Sequence, residues 1–289
     1  MPNTQALKSR IRSVKSTKQI TKAMQLVAAS KMRRAQEATK ASGPYADAAR
    51  QLLANLSTRA SVKDHPMFVQ RPVKARLLIV IASDRGLAGA FNSNLTRLVT
   101  QELMGDRKNG IATSTITVGR KAAQFVARLK DIDVLGSYQD LPDRPDSVAL
   151  HAILDTAKQL FAAGEVDAVD IIYTDFVNSV VQKALVQRVL PAGADVETPA
   201  NVATDIVYEP SVRAVLDGVA SRLVGAQLYQ ALLDSRASEY SMRMMAMKNA
   251  TDNASDLIDD LTLEMNKVRQ GAITQELAEI SGGVEALND

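Results

Sequence analysis

Cysteine is absent from the 289 residues, which excludes disulfides, thiol catalysis, thiolate metal sites and redox switching through thiols. Tryptophan is also absent and aromatics make up only 4% of the chain, so packing must rely on small and flexible side chains such as Ala and Met. His65 and His151 are the only histidines, too few for ordinary metal-site chemistry. No apolar run is long enough to span a bilayer, and the densest, Leu77 to Ala82, is strand-sized. Proline ends at Pro210. With 46% hydrophobic and 23% charged residues, the chain is globular rather than disordered. Its first segment is basic and rich in Ser and Thr, like a transit peptide, but the basic pattern runs on for about forty residues and is expected to be mature structure.

Beyond Pro210 an apolar 4-3 repeat runs through Val212, Leu216, Val219, Leu223, Ala226, Gln230, Leu233, Ala237, Tyr240, Met244, Met247, Thr251, Ala254, Ile258, Leu261, Met265, Val268 and Ala272. Only Gln230 and Thr251 interrupt it. A mean spacing of 3.5 residues keeps the stripe facing a partner helix in a left-handed coiled coil. A helix from Pro210 to Gly282 would be roughly 110 Å long, whereas a body built from the rest would span roughly 40 Å, so part of the helix is expected to project and to need partners.

Residues 1 to 58 read as a second helix, interrupted at Gly43-Pro44, with an apolar stripe of Leu7, Ile11, Val14, Ile20, Met24, Val27, Met32 and Ala35. Residues 1 to 40 hold ten Lys or Arg and one acid, Glu37. From 250 onward nine acids face only Lys267 and Arg269. Antiparallel pairing of the two helices, with complementary charged flanks, is expected.

The middle alternates. Arg76 to Ser83, Ile111 to Val118, Val134 to Tyr138 and Val169 to Phe176 read as strands, and Asn94 to Arg107, Arg120 to Lys130 and Ser147 to Ala162 as helices. Strand, helix, strand order implies a parallel sheet. Val180 to Leu190 reads as a hairpin partner. The expected fold is therefore α/β: a long antiparallel coiled coil of N- and C-terminal helices (1–58 and 210–286) with an inserted Rossmann-like α/β domain (74–208).

Ser83 to Asn92 follows the first strand, where doubly wound sheets bind phosphates. It carries only Gly86 and Gly89, and Phe91-Asn92 stands where a P-loop has Gly-Lys-Ser/Thr. A tight turn is the better reading, with those glycines easing the backbone and Asn92 or Ser93 capping the helix. Asp84 has no second acid or His beside it in that turn, so capping outweighs catalysis. Met244 and Met247 fall on the seam, while Met242 and Met245 could face a partner. The basic run Lys8, Arg10, Arg12, Lys15, Lys18 and Lys22 could contact nucleic acid, but it lacks interleaved aromatics and lies opposite an acidic helix.

The segments Leu7 to Val14, Lys18 to Met24 and Val27 to Met32, the turn Ser83 to Leu87, Met247 to Ala254 and Arg269 to Leu277 resemble, in order across the whole chain, the gamma subunit of F-type ATP synthases. The resemblance implies a rotor shaft without catalytic residues or cofactors. Such a shaft would lie inside a hexamer of alpha and beta subunits, rest on the c-ring beside epsilon, and be peripheral at the cytoplasmic face of a bacterial inner membrane. Proton flow through the ring would be coupled through it to nucleotide exchange on the beta subunits. It further implies that Met24, Arg269, Gln270 and Thr274 lie near the level where beta subunits grip the shaft, and Tyr208 and Glu209 at the ring-facing foot. The redox-sensitive Cys insertion of the chloroplast branch is missing. The surplus of Arg10, Arg12, Lys31, Arg33 and Arg34 is expected to meet an acidic loop of the beta subunits, and Ile273 to Leu287 to form an apolar tip in a bearing. Two other readings are a nucleotide-using α/β enzyme and a basic-helix nucleic-acid adaptor.

Overall fold

The computed structural model describes residues 4–58, 62, 64–130, 132–142, 147–194 and 212–288. The elements are α1 (Thr4–Ser57), β1 (Ala75–Ile81), α2 (Phe91–Lys108), β2 (Ala112–Val118), α3 (Arg120–Val126), β3 (Asp133–Tyr138), α4 (Ser147–Ala163), β4 (Ala168–Phe176), β5 (Gln182–Leu190) and α5 (Val212–Asn288). Two compact units contain them: residues 1–28 with 244–289, and residues 29–243.

In the larger unit five strands run in the order β3-β2-β1-β4-β5, parallel except for the antiparallel β4–β5 pair. β1 is buried on both faces because its side chains alternate between two cores. Leu77, Ile79 and Ile81 join Ile153, Phe161, Leu53 and the α5 residues Leu216 to Leu232, while Leu78 and Val80 pack with Leu95, Val99 and Ala122. The second face also takes a buried ionic group. Arg76 Nε donates to Asp170 Oδ2, and its Nη1 reaches Glu102 at 2.8 Å and Asp106 at 3.0 Å. Arg188 adds two bonds to Asp170, at 2.7 and 3.0 Å. Burial opposes the charge on Arg76, but Asp170, Glu102 and Asp106 outweigh it and hold the guanidinium pKa above its ordinary value.

The expected break in α1 does not occur. Pro44 lies inside one continuous helix, although an interior proline costs about 3 kcal/mol of helix stability. Ala46, Ala49, Leu53 and Leu56 just beyond it are buried, and this packing outweighs the lost backbone bond. The apolar stripe of α1 also differs from the expected one: Ile20 and Val27 are 58% and 59% exposed, while Ala28 is 2% exposed. From Leu7 and Ile11 the half-buried or buried positions continue through Val14, Lys18, Thr21, Gln25, Ala28, Met32, Ala35, Thr39, Ser42 and Ala46. This is an unbroken 4-3 series in which several members are polar.

Two of those polar members, Thr21 and Ser42, meet the interruptions of α5. In the smaller unit Thr251 Oγ1 donates to Thr21 Oγ1 at 2.8 Å, and Leu7 and Ile11 pack with Leu261. Ten residues earlier on α1 is thus ten later on α5, an antiparallel register. In the larger unit Ser42 Oγ donates to Gln230 Oε1, and Lys31 Nζ lies 3.5 Å from the Tyr240 hydroxyl. The expected charge complementarity takes no paired form. Lys8, Arg10, Arg12, Lys15, Lys18 and Lys22 make no ion pair with any described acid, and all of them but half-buried Lys18 are exposed to solvent, where pairing gains little.

Asp234 is 6% exposed beside that seam. Gln230 Nε2 donates to it at 2.9 Å, but burial, with the charge of Asp175 nearby, pushes its carboxyl up to about 7. A pKa raised above the ordinary 3.9 means that stability is full below about pH 4 and declines as pH rises towards 7. Asp234→Asn should therefore raise the urea midpoint at pH 8, by the equivalent of roughly 1–4 kcal/mol, with the gain closing as pH falls towards 4. A pH-independent gain would mean that ionisation is not its source.

The turn after β1 holds its left-handed residues at Leu87 (φ 61°) and Gly89 (φ 56°). Gly86 has open space around it and needs no unusual φ, so only one of the two expected glycines serves the backbone. The more constrained position is Gly119, between β2 and α3, at φ 93°, where a Cβ would run into the carbonyl of Ala82. Gly119→Ala should cost more than about 2 kcal/mol by backbone strain and collision, while Gly86→Ala should lie within about 0.5 kcal/mol of the parent. Equilibrium urea unfolding of both variants measures the difference.

Candidate coupling site

The topological switch of the sheet lies between β1 and β4, and in open α/β sheets the crevice at the carboxyl ends of such strands is where ligands enter. Here α5 crosses those carboxyl ends, donating to Thr174 in β4 and packing against the ends of β1 and β2. Leu232, Ser235, Arg236 and Glu239 of α5 face Ile81, Ala82, Asp84, Val118, Gly119 and Leu141, leaving a void of only about 10 Å³. That is about the space one water molecule needs.

Hydrogen bonds tie the helix to the loops around this crevice. Arg236 Nη2 donates to the Leu141 carbonyl at 2.6 Å, Ser238 Oγ to Thr174 at 3.2 Å and Ser241 Oγ to Ser179 at 2.6 Å. Arg243 Nη2 reaches the carbonyls of Arg85 and Gly86 at 3.1 and 3.3 Å, and its Nη1 is held by Glu239 at 2.6 Å. The loops following β1, β3 and β4 are thus attached to two turns of one helix. Each bond contributes roughly 0.5–1.5 kcal/mol net, and the carbonyls they satisfy would be costly to leave bare.

The turn itself is internally fastened. Asp84 Oδ1 accepts the backbone N–H of Arg120, the first residue of α3, at 3.0 Å and that of Asp140 at 3.1 Å. Asn92 does not cap α2. Its amide exchanges bonds with the Ser83 hydroxyl at 2.8 and 3.0 Å, because Ala90 occupies the cap position and Ser83 is almost fully buried. The carboxylate, the hydroxyl and the amide that could have formed a reaction centre are bonded to backbone or to one another.

The partner-binding candidates fall in three places. Arg10 and Arg12 are exposed on α1. Arg33 pairs with Glu37 at 3.3 Å along the same helix, and Arg34 reaches Ser30 at 3.4 Å, so both remain at the surface. Lys31 instead turns inward, half-buried, with its ammonium 5.2 Å from the centre of the Tyr240 ring. The third place is α5 beyond Val268, where every described residue to Ser281 is exposed, including Ala272 of the expected seam. Arg269, Gln270 and Thr274 lie there, Thr274 Oγ1 donating only to the Gln270 carbonyl at 2.9 Å. In the register set by Thr21 and Thr251, half-buried Met24 lies beside Lys248. Arg269 is therefore roughly 30 Å further along α5 at about 1.5 Å per residue, and Met24 does not share a level with Arg269, Gln270 and Thr274. Tyr208 and Glu209 lie outside the described residues.

Sequence reading missed Arg236, Ser238, Ser241 and Arg243. A signal existed: within a seam-bearing helix, Ser235, Ser238 and Ser241 recur every three residues off the seam, which marks a second packed face of small side chains.

The chain matches the family model described as ATP synthase over residues 3–287. It is 40% identical over 288 residues to an ATP synthase gamma chain of Stenotrophomonas maltophilia, covering 99% of this chain and 100% of the relative. It is 42% identical over 287 residues to that of Pelotomaculum thermopropionicum, with the same coverage. Among solved structures it resembles a chain of the Tetrahymena thermophila mitochondrial ATP synthase central stalk and c-ring (TM-score 0.62, 26% identity, 80% of this chain and 99% of that one). It also has the fold of a chain from the Euglena gracilis mitochondrial ATP synthase (TM-score 0.68, 19% identity, 98% and 94% covered). Alignment of nearly every residue at about 40% identity with bacterial gamma chains establishes that the chain belongs to the ATP synthase gamma chain family.

Proposed function

We propose that this gamma chain is the central rotor shaft of an F-type ATP synthase and has no catalytic site of its own, carrying rotation between a proton-driven c-ring and the alpha and beta subunits. The observation that carries this reading is the occupied crevice: where an α/β sheet would admit a nucleotide, α5 fills the space and is bonded to three loops. Such a domain is built to grip a helix. Proton flow and nucleotide exchange then act on one another through the position of this chain, as coupled equilibria.

Its partners in this reading are the alpha and beta hexamer, epsilon and the c-ring, at the cytoplasmic face of a bacterial inner membrane. Among the described residues no helix is long and apolar enough to cross a membrane, which fits membrane contact through partner subunits. Arg10, Arg12, Arg33 and Arg34 meet acidic loops of the beta subunits by steering and short-range attraction. Lys31 supports them from inside through Tyr240. Met24 and the exposed tip residues Arg269, Gln270 and Thr274 bear on the hexamer at two separate levels, and Tyr208 and Glu209 face the ring.

Arg236→Met combined with Ser241→Ala should leave ATP hydrolysis by the assembled complex near the parent rate while lowering ATP-driven proton pumping per ATP hydrolysed, in inverted membranes with subunit content checked. An unchanged ratio would count against the grip as a coupling element. Replacing Arg10, Arg12, Arg33 and Arg34 together by Gln should lower the same ratio, more at low salt than at high. Each exposed pair contributes only about 0–1 kcal/mol, so single replacements should do little. A parent-like ratio in both salts would leave those arginines as a solvated face.

A further inference from the structure

Opposite the gripped end of the sheet, a cleft of about 430 Å³ opens between the last turns of α2, the segment after α3 and the start of β2. Its walls are Leu103, Met104, Ile111, Leu129 and Ile132, with Arg107 and Lys130 among the lining residues and no acid among the described ones. Met104 is 67% exposed into this opening, an adaptable, polarisable side chain with no apolar cover. The volume lies within the usual range of small-molecule sites.

Among the described residues, the charges nearby leave the cleft positive. Glu102 and Asp106 belong to adjacent positions of α2, but both are turned to Arg76, at 2.8 and 3.0 Å. Thr113 donates to Asp106 at 2.9 Å, closing that group off. Asp133 is exposed at the start of β3 and does not line the cleft. Arg107 and Lys130 are exposed and make no hydrogen bond or ion pair with any described side chain. Lys108 and Arg128 stand exposed beside them.

We propose that this cleft binds a single-chain anionic amphiphile, its acyl chain along Leu103, Met104, Ile111 and Leu129 and its carboxylate between Arg107 and Lys130. An apolar trough explains the chain, since removal of its methylenes from water supplies affinity. Two free cations beside that trough explain the head, with the planar Arg107 able to take a carboxylate through two parallel bonds. A fully apolar ligand would leave the cations unused, and a small anion would leave the trough empty. The site is independent of the rotor reading.

The test uses the full chain with its methionine methyl groups labelled with ¹³C, the Met104 signal assigned by Met104→Leu, and dodecanoate added below its micelle concentration. Saturable displacement of the Met104 signal is expected, with dodecanol at least tenfold weaker and Arg107→Gln with Lys130→Gln weakening dodecanoate at least tenfold. Ala112→Phe, at an exposed strand position lining the cleft where an aromatic suits the backbone, should abolish binding while leaving the urea midpoint near the parent. Equal affinity for dodecanol, or no loss in the double variant, would reduce the cleft to a greasy patch and overturn the proposal. So would binding to phosphatidylglycerol vesicles without dodecanoate binding, which would assign the cations to a membrane surface.

Discussion

Between Leu216 and Ser241, α5 is buried on nearly all of its faces, and the rest of the larger unit is arranged around that requirement. A helix enclosed on all sides cannot use the usual division into one apolar stripe and one solvated face. Its seam face holds large residues such as Leu223, Leu233 and Tyr240, while Ala220, Ala231, Ser235, Ser238 and Ser241 let neighbouring backbone come close. Polar residues are kept where a partner waits: Arg236 and Arg243 end on loop carbonyls, and Gln227 is reached by Gln187 at 3.4 Å. Burial of the helix and loss of a ligand crevice are the same event. The space a nucleotide would need is the space that makes α5 inseparable from the sheet.

The seam sets register by its flaws. An uninterrupted apolar 4-3 stripe allows slips of a heptad at small cost, whereas a polar group placed against an apolar one loses its hydrogen bond in a dry interface. Thr251 against Thr21 fixes the smaller unit, and Gln230 against Ser42 fixes the larger. Gln230 also donates to Asp234, so the register device of the larger unit contains a carboxyl that burial holds towards its protonated form. These positions gain specificity at some loss of stability, in contrast to the apolar pairs around Leu7, Ile11 and Leu261.

How far the sequence could be read depended on whether a feature repeats. The seam of α5 was legible because eighteen positions share one period, and all described members through Val268 are buried or half-buried. The strands were legible because β1 is a continuous apolar run from Leu77 to Ile81, as a strand buried on two faces must be, and β4 is apolar at Val169 and from Ile171 to Tyr173 around the buried Asp170. On α1 the same reasoning followed hydrophobicity instead of period and selected Ile20 and Val27, when the true series passes through Lys18, Thr21 and Gln25. Polar members of a seam are visible only once their partners are known. Gly119 and Asp234 were hidden for a related reason: each is defined by what packs on it from a distance in sequence, the Ala82 carbonyl for one, and for the other burial first and the charge of Asp175 second. Of the candidate site residues, the exposed arginines could be read from charge count, while the inward turn of Lys31 required knowledge that Tyr240 lies opposite.

Two kinds of surface meet on α5, and their difference has a mechanical meaning. Where the helix passes the sheet, directional bonds to carbonyls hold it, and turning it would break several at once; each is modest, but they share one rigid element. Beyond Val268 the side chains are exposed, and Ile273, Leu277 and Ile280 present apolar surface without fixed hydrogen-bonding direction. Apolar contact is non-directional, so a surface of this kind can be covered by a partner while remaining indifferent to angle. A chain meant to be turned needs the first surface where force enters it and the second where it must slip. The proline-free run from Val212 to Asn288 joins them in one helix, with no residue in the interior that removes a backbone bond and offers a bend.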